Sequence, residues 1–335
     1  MIKKIIIILL LVIVSAVLSI CIGSVFIHPK EVFAILLYKF FNIEIINIDK
    51  INADIIGIRF KHSILSLFVG ASLSITGVVI QSILRNPLAS AYNLGISSGA
   101  GLGAALLIII QISFNQYLFI GVSMLFAFIT ILFILFISNK IDKYMSNNSI
   151  ILAGIVISLF LSSVMSFLSY MFPKYSNQII LWQLGNLFVR NKLDIFIIIF
   201  MTLISLLLLM RYSSVLDIMT FGDETSLSLG INAKNMRIFF ILISSFITAV
   251  LTAFIGIIGF VDLVSPHIAR KIFGAKHIIV VPMSALIGAL LLNVSDIFSR
   301  IIVSGSNIPI GIVTAVIGAP FFLYIFISGS GIKRM

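Results

Sequence analysis

The chain has 335 residues, of which 61% are hydrophobic and 10% charged, and its mean hydropathy is +1.26. Soluble globular domains are only about half apolar, so this composition excludes a water-soluble globule and indicates an α-helical protein that crosses a membrane many times. The formal net charge is +11, but Lys and Arg stand singly between apolar runs, which favours a role in orienting the spans over nucleic-acid binding.

The first apolar run follows Lys3 and Lys4 and extends from Ile5 to Ile27. It is long enough for the roughly 20 residues of a spanning helix and longer than the roughly 7–15 apolar residues of a signal peptide. Before Cys21, the bulky Ile20 stands where a lipoprotein cleavage site has a small residue. We therefore expect a retained first span. With one cysteine, the chain has no disulfide framework and no cysteine-based metal cluster.

Eight further apolar runs are long enough to cross the bilayer. They predict spans at 63–83, 93–112, 116–138, 150–172, 193–210, 236–258, 278–298 and 308–328. A tenth candidate, 259–273, is short and contains Asp262, Pro266 and His267, so hydropathy alone does not decide whether it crosses. Because no hydrophilic domain, linker or repeat interrupts these runs, residues 1–335 are predicted to form a single transmembrane domain.

The distribution of Lys and Arg decides the tenth segment. If it crosses and the N-terminus is cytosolic, more than half of the 22 basic residues lie inside; if it does not, fewer than half do. Because positive residues favour the cytosolic side, we predict ten spans with both termini cytosolic. Residues 211–235 then form a cytosolic loop, whereas Arg59, His62 and Arg300 face outward.

A polar segment, Gly222–Lys234, lies inside that loop. Asp223 and Glu224 suit the first turn of a helix, Gly230 suits its end, and Asn232 can cap the next helix. The segment is therefore predicted to form one or two helical turns outside the bilayer, as a docking element for a cytosolic partner.

Gly95–Gly99 matches the G-x-S-x-G pattern of serine hydrolases. The run continues to Gly103 as a small-residue face with a GxxxG spacing, which in lipid is typical of close helix packing. Packing is the preferred interpretation. The alternative, an intramembrane serine hydrolase, would need Ser97 as nucleophile and His267 as base.

Four serines of the span 150–172 share one helical face, and their spacing fits either a pathway lining or tight helix packing. They are Ser158, Ser162, Ser166 and Ser169. Further along the chain, Asp296 and Arg300 stand four residues apart with the acid first, which predicts an intrahelical salt bridge. The chain has no G-x-x-x-x-G-K-[S/T] motif, so ATP would have to act through a partner. No catalytic residue, metal site or directly bound cofactor is predicted.

In chain order these segments resemble the FecCD family, the permease subunits of bacterial ABC importers for iron–siderophore, haem and cobalamin. The resemblance covers about 58–324. The residues that carry it are Arg59–His62, Gly70–Gln81, Arg85–Ala89, Leu94–Ala100, Ala153–Ile155, Trp182–Gly185, Gly222–Glu224, Ser228–Gly230, Gly259–Val261, Pro266–Arg270, Asp296–Arg300 and Pro309–Phe321.

The resemblance implies an all-α permease of ten transmembrane helices, similar to the cobalamin-importer permease of type II ABC importers. It also implies a complex in the bacterial cytoplasmic membrane with four kinds of partner. These are a second permease subunit, identical or a sibling, two cytosolic ABC ATPases that use ATP, an extracytoplasmic binding protein and the lipid bilayer.

The resemblance assigns roles to four groups of residues. The coupling helix that contacts the ATPase comprises Gly222, Asp223, Glu224, Leu227, Leu229 and Gly230. Asn86 and Leu88 belong to a cytoplasmic gate, and the four serines line the pathway. On the outer face the family pattern Arg-Leu-Pro-Arg receives glutamates of the binding protein, and a further docking arginine matches Arg300. Here Arg59 is kept, while Lys61 and His62 replace the proline and the second arginine.

An unperturbed histidine is mostly neutral at pH 7, so Lys61 could carry the docking charge that His62 lacks. The predicted function is the permease of an ABC importer for a metal chelate, with iron–siderophore ahead of haem and cobalamin. An ion-coupled secondary transporter is the second alternative. It would require acidic residues at mid-membrane, whereas Asp262 and Asp296 are expected near span ends.

Overall fold

The computed structural model of the chain describes residues 1–41, 49–111, 116–187, 191–303 and 306–330. Within these ranges there are fourteen helices and no strand. The helices are α1 (Ile2–Cys21), α2 (Pro29–Phe41), α3 (Lys50–Ile83), α4 (Ile96–Ile109), α5 (Gln116–Ile141), α6 (Asn147–Met171), α7 (Pro173–Gln183), α8 (Lys192–Arg211), α9 (Ser213–Thr220), α10 (Asp223–Ser228), α11 (Ala233–Ile255), α12 (Val261–Phe273), α13 (His277–Ile301) and α14 (Ile310–Ser330).

Ten of these helices coincide with the ten predicted spans. Seven of them, α1, α3, α5, α6, α8, α11 and α13, are long and apolar enough to cross a bilayer. The helices α4 and α14 are shorter and apolar, and α12 is the interrupted tenth segment. The remaining four, α2, α7, α9 and α10, are short connecting helices, of which the sequence predicted only α10.

Contacts at the helix ends show that α12 returns the chain to the end at which α11 begins. Arg237, near the start of α11, and Arg85, just after α3, both contact Asp223. Lys4 Nζ donates to the Ile272 carbonyl at the end of α12, and His277 Nε2, at the start of α13, lies 2.6 Å from Ser82 Oγ on α3. At the opposite end, Arg300 of α13 donates to the Ser19 carbonyl near the end of α1. We call the first the cytosolic end and the second the outer end. Residues 331–335 lie outside the described ranges, so a cytosolic C-terminus stays a prediction.

The turn between α11 and α12 lies inside the bundle, where free backbone groups need protein partners. Gly256 ends α11 with a φ of 74°, and the Ile255 carbonyl accepts from the Asn186 amide at 2.7 Å. The Leu184 and Gly185 carbonyls in turn accept from the first amides of α14. The segment 184–187 thus fills the gap between α11 and α14.

The centre of the bundle is the contact between α3 and α13, the most extensive in the fold. A Cβ added to Gly70 would overlap the Gly288 carbonyl, and one added to Gly288 would overlap Ser74. Small residues allow this approach, which drives helix association in lipid. Similarly, Gly99 lies against Thr130 of α5. The packing interpretation of the G-x-S-x-G run is therefore confirmed, and no hydrogen bond between Ser97 and His267 is present among the described residues.

Candidate functional site

The polar segment at the cytosolic end folds as its residue pattern predicts. Helix α10 begins at Asp223 after Gly222, whose φ of 117° favours glycine. It is followed by Gly230, with a φ of 79°, and the Asn232 side chain accepts from the Asn235 amide as the cap of α11. Two leucines of this segment, Leu227 and Leu229, are 68% and 60% exposed. An apolar surface of this kind, outside the membrane, is typical of a protein–protein contact.

Within the coupling group, Asp223 differs from its neighbours because its carboxylate is held by the subunit itself. Arg237 Nη2 donates to both carboxylate oxygens at 2.7 and 2.8 Å, and Arg85 Nη2 donates to Oδ1 at 3.1 Å. Glu224 is exposed, and none of the described residues pairs with its carboxylate. Within α10, Glu224 therefore offers a free acidic group, whereas Asp223 joins α10 to two other parts of the subunit.

The buried arginine of this cluster also holds the turn between α5 and α6. Arg237 is 1% exposed, and its Nη1 donates to the Met145 carbonyl at 2.8 Å. One turn earlier on α11, Lys234 Nζ donates to the Lys143 carbonyl at 2.6 Å. Asp142 accepts from the Ser146 and Tyr144 amides, and these bonds, that of Ser146 foremost, lower the pKa of its carboxyl group. Lys234 and Arg237 thus connect the N-terminus of α11 to the turn between α5 and α6, and we call this set of contacts the polar platform.

The predicted gate residues lie in the loop after α3, next to this platform. The Asn86 side chain accepts from the Leu88 amide at 2.9 Å, and Asn93 Nδ2 donates to the Leu88 carbonyl at 3.3 Å. Leu88 lines a cavity of about 470 Å³ that extends between α12 and α14. The cavity walls also include Tyr92, Asn93, Gln183, Phe260, Asp262 and Phe322. The loop that carries Leu88 therefore borders this cavity.

The serine face of α6 lies beside α4 and at the surface of the single subunit. Ser162 and Ser166 are exposed, Ser158 and Ser169 are half-buried, and Ser162 Oγ lies 3.5 Å from Ser98 Oγ. Ser158 and Ser166 each donate to a carbonyl one turn earlier, at 2.7 and 3.0 Å, which satisfies their hydroxyl groups in an apolar setting. An exposed row of small polar groups suits either a pathway or a subunit contact, so the pathway role stays a prediction.

At the outer end the structure departs from the expected docking surface. Helix α3 begins at Lys50, with Asp49 as its cap, not near residue 63, so Arg59 and His62 lie well inside a helix and under the end of α1. Arg59 is 5% exposed and donates to the Cys21 and Val25 carbonyls at 3.0 and 2.6 Å. Of the four predicted docking residues, only Lys61 is partly exposed.

Arg300 is equally enclosed, at 7% exposure. Its Nη2 lies 2.9 Å from Asp296 Oδ2, which confirms the predicted salt bridge. It also donates to the Ser19 side chain at 2.8 Å. On the far side of Asp296, His62 Nδ1 lies 3.6 Å from Oδ1. In this structure Arg59 and Arg300 therefore fasten the end of α1. A docking role for them stays a prediction, and it would require their release from these partners.

Arg85 and Arg237 carry no predicted role in the sequence, although both contact Asp223. A signal was available for Arg237. It stands inside the apolar run predicted as the span 236–258, where a charged side chain needs a partner, so an acidic partner nearby was to be expected. The acids of the polar segment are the nearest candidates along the chain. No comparable signal marked Arg85, because only the folded chain brings it to Asp223.

The sequence and the fold of this chain are similar to those of known proteins. Residues 10–328 match the model of the FecCD transport family. The chain is 35% identical to the Fe(3+)-citrate import system permease protein YfmE of Bacillus subtilis, over 96% of this chain and 93% of that protein. It is 33% identical to the uncharacterized ABC transporter permease protein YvrB of the same organism, over 94% of this chain and 90% of that protein.

The fold also matches a solved structure described as an inward-facing conformation of an ABC transporter of proposed metal-chelate type. The TM-score is 0.83 at 27% identity, over 98% of this chain and 100% of that chain. These matches support a multi-pass permease of the bacterial plasma membrane and leave neither the secondary transporter nor the hydrolase with support. The chain, a permease of an ABC transporter, belongs to the FecCD transport family.

Proposed function

We propose that this permease imports a ferric chelate. The similarity to YfmE, a permease for Fe(3+)-citrate import, extends over nearly the full length of both chains, and the similar solved structure is described as of metal-chelate type. The cavity beside Leu88 is lined by both polar and apolar side chains and not by a set of metal ligands. Among the described residues no group of three or more His, Cys, Asp or Glu could hold a metal ion, so the chelate would pass intact.

The observation that carries the mechanism is the apolar surface of the α10 region at the cytosolic end. Phe221, Leu227 and Leu229 are exposed there, beside the unpaired acid Glu224. Such a surface needs a partner, and a cytosolic ATPase provides one. Because the chain contains no P-loop motif, ATP would be bound and hydrolysed by two such ATPases, and their movement would reach the permease through α10.

The proposed complex includes two further partners. A second permease subunit, an identical copy or a sibling, would cover the exposed serine face of α6 and enclose one pathway between the two subunits. An extracytoplasmic binding protein would deliver the chelate to the outer end, with Lys61 as the exposed basic residue of the predicted docking group. The single-domain chain, 1–335, is proposed to act as one unit in this complex.

The function can be tested with the complex reconstituted in proteoliposomes. We expect ATP-dependent uptake of radioiron-labelled ferric citrate or ferric siderophore, and none without the ATPase subunits. Haem and labelled cobalamin serve as competing substrates in the same vesicles. Uptake of haem or cobalamin in preference to every ferric chelate would contradict the proposed substrate, while the permease assignment would stand.

Replacing Glu224 and Leu227 together by alanine is expected to abolish uptake while the permease remains inserted, because the α10 surface loses its acidic and its apolar contact with the ATPase. Substrate-stimulated ATP hydrolysis should fall as well. Leu207→Ala is the matched control, since Leu207 is 69% exposed on the span α8. Normal uptake by the double variant would show that the segment is only a connector.

A further inference from the structure

We propose that Asp223 and Arg85 form the link through which movement of α10 reaches the cytoplasmic gate. Asp223 would then be a positioning residue that joins the coupling helix to the gate loop, and not a contact for the ATPase. The inference rests on the proposed function, because it takes α10 as the ATPase-binding helix and the loop Asn86–Leu88 as the gate.

One side of this link is rigid. Arg237 grips both oxygens of Asp223 at 2.7 and 2.8 Å, is 1% exposed, and is itself tied to the Met145 carbonyl. Both contacts to Asp223 come from one nitrogen, Nη2, and Nη1 is held by the Met145 carbonyl, so charge-assisted hydrogen bonds on two nitrogens fix the position of this buried guanidinium. The first residue of α10 therefore cannot move without moving the N-terminus of α11.

The other side is adjustable. Arg85 Nη2 contacts Asp223 Oδ1 at 3.1 Å, and both side chains are partly open to water, where a single ion pair is weak and can break and re-form. Arg85 also directly precedes Asn86 in the gate loop. Its φ of 47° is left-handed, a conformation that few non-glycine residues adopt. A movement of the Arg85 side chain would therefore act on a backbone position in an unfavourable conformation, immediately before the gate residue Asn86.

The residue before Asp223 makes room for this contact. A Cβ placed on Gly222 would lie 3.3 Å from Arg85 Nη1, closer than comfortable van der Waals contact, and the φ of 117° at this position favours glycine in any case. The start of α10 and the gate loop therefore meet at the Asp223–Arg85 ion pair, with Gly222 lying close to the Arg85 guanidinium.

The link also explains why two adjacent acids differ. Glu224 points into solvent without a partner among the described residues, as an ATPase contact should. The carboxylate of Asp223 instead pairs with two arginines of its own subunit, Arg85 and Arg237. If Asp223 were an ATPase contact, its loss would weaken assembly; if it is a positioning residue, assembly survives and the gate stops responding.

The experiment uses the complete complex with a reporter at the gate. Leu88→Cys introduces an exposed thiol, while the natural Cys21 is buried and contributes little background. Reactivity of the new thiol is measured with and without a non-hydrolysable ATP analogue. We expect the nucleotide to change reactivity in this parent protein, and Arg85→Gln to reduce that change by up to about fivefold, the scale of one exposed ion pair.

Two comparisons keep the result specific. Arg85→Lys retains the charge and should restore most of the response, and Arg211→Gln, an exposed arginine at the end of α8, should leave it intact. The ATPase subunits should co-purify with every variant, Asp223→Asn included. An unchanged nucleotide response in Arg85→Gln, or loss of the ATPase from an Asp223→Asn variant whose thermal unfolding is unchanged, would overturn the proposal. Absent ferric uptake with an intact thiol response would contradict only the proposed substrate.

Discussion

Arg300→Glu is expected to lower the thermal stability of the permease sharply and to reduce its accumulation in the membrane. The substitution removes the partner of Asp296 and the donors to the Ser19 carbonyl and side chain. It also places a second carboxylate beside Asp296, which is itself 3% exposed. Breaking a buried ion pair by removing one partner costs about 3–5 kcal/mol, because the remaining charge is left uncompensated.

Thermal unfolding and binding-protein affinity should be measured on the same purified variants. Arg59→Glu is expected to behave like Arg300→Glu, since it would leave the carbonyls at the end of α1 without their donor. Lys61→Glu is the control from the same helix. It should leave stability unchanged and weaken docking, because it replaces attraction by like-charge repulsion at a partly exposed site; high salt should reduce that effect. Stable Arg59→Glu and Arg300→Glu variants with lost docking would favour the docking role instead.

Gly70→Ala is expected to destabilise the permease strongly. The new methyl group would overlap the Gly288 carbonyl and lie 2.9 Å from the Leu292 Cβ. Because a backbone carbonyl cannot rotate away, α3 and α13 would have to separate along the largest contact of the bundle. Overpacking of this kind costs about 1–3 kcal/mol, and more where the neighbour cannot adjust.

The matched control is Gly121→Ala on α5, where nothing lies within 4 Å of the added Cβ. Both substitutions gain the same helix propensity, about 1 kcal/mol in favour of alanine, so the difference between them isolates the packing cost. The readout is the midpoint of thermal unfolding in detergent, followed by the amount of assembled complex. Equal unfolding midpoints for the two variants would show that α3 and α13 can separate to admit the methyl group without loss of stability.

Most of the spans could be predicted because lipid imposes a simple rule on the chain. A helix of about 20 apolar residues is the unit that crosses the bilayer, and α5, α6 and α13 follow that rule closely. The rule failed at α3, whose first thirteen residues contain Lys50, Asp54, Arg59 and Lys61. These charges resemble an outer loop by hydropathy, yet the helix continues through them because α1 and its following residues cover one side.

The coupling segment was predictable for a similar local reason. The signals for its start, stop and cap lie within a few residues of one another, Gly222, Gly230 and Asn232 among them, and they act through the backbone alone. The docking group was not predictable in this way. Whether an arginine near a span end points to solvent or into the protein depends on which helix packs beside it, and α1 is distant in sequence from both Arg59 and Arg300.

By itself, then, the sequence determined the all-helical membrane fold, the order of the ten spans, the orientation expected from charge and the short helix α10, since hydropathy, charge and capping are local properties. Only the tertiary structure decided which charged side chains are exposed and which are paired within the protein. It placed Arg59 and Arg300 on the carbonyls of α1, and it brought Arg85, Asp223 and Arg237 together from three separate segments. Ion pairs of this kind depend on the packing of distant helices, which no local pattern specifies.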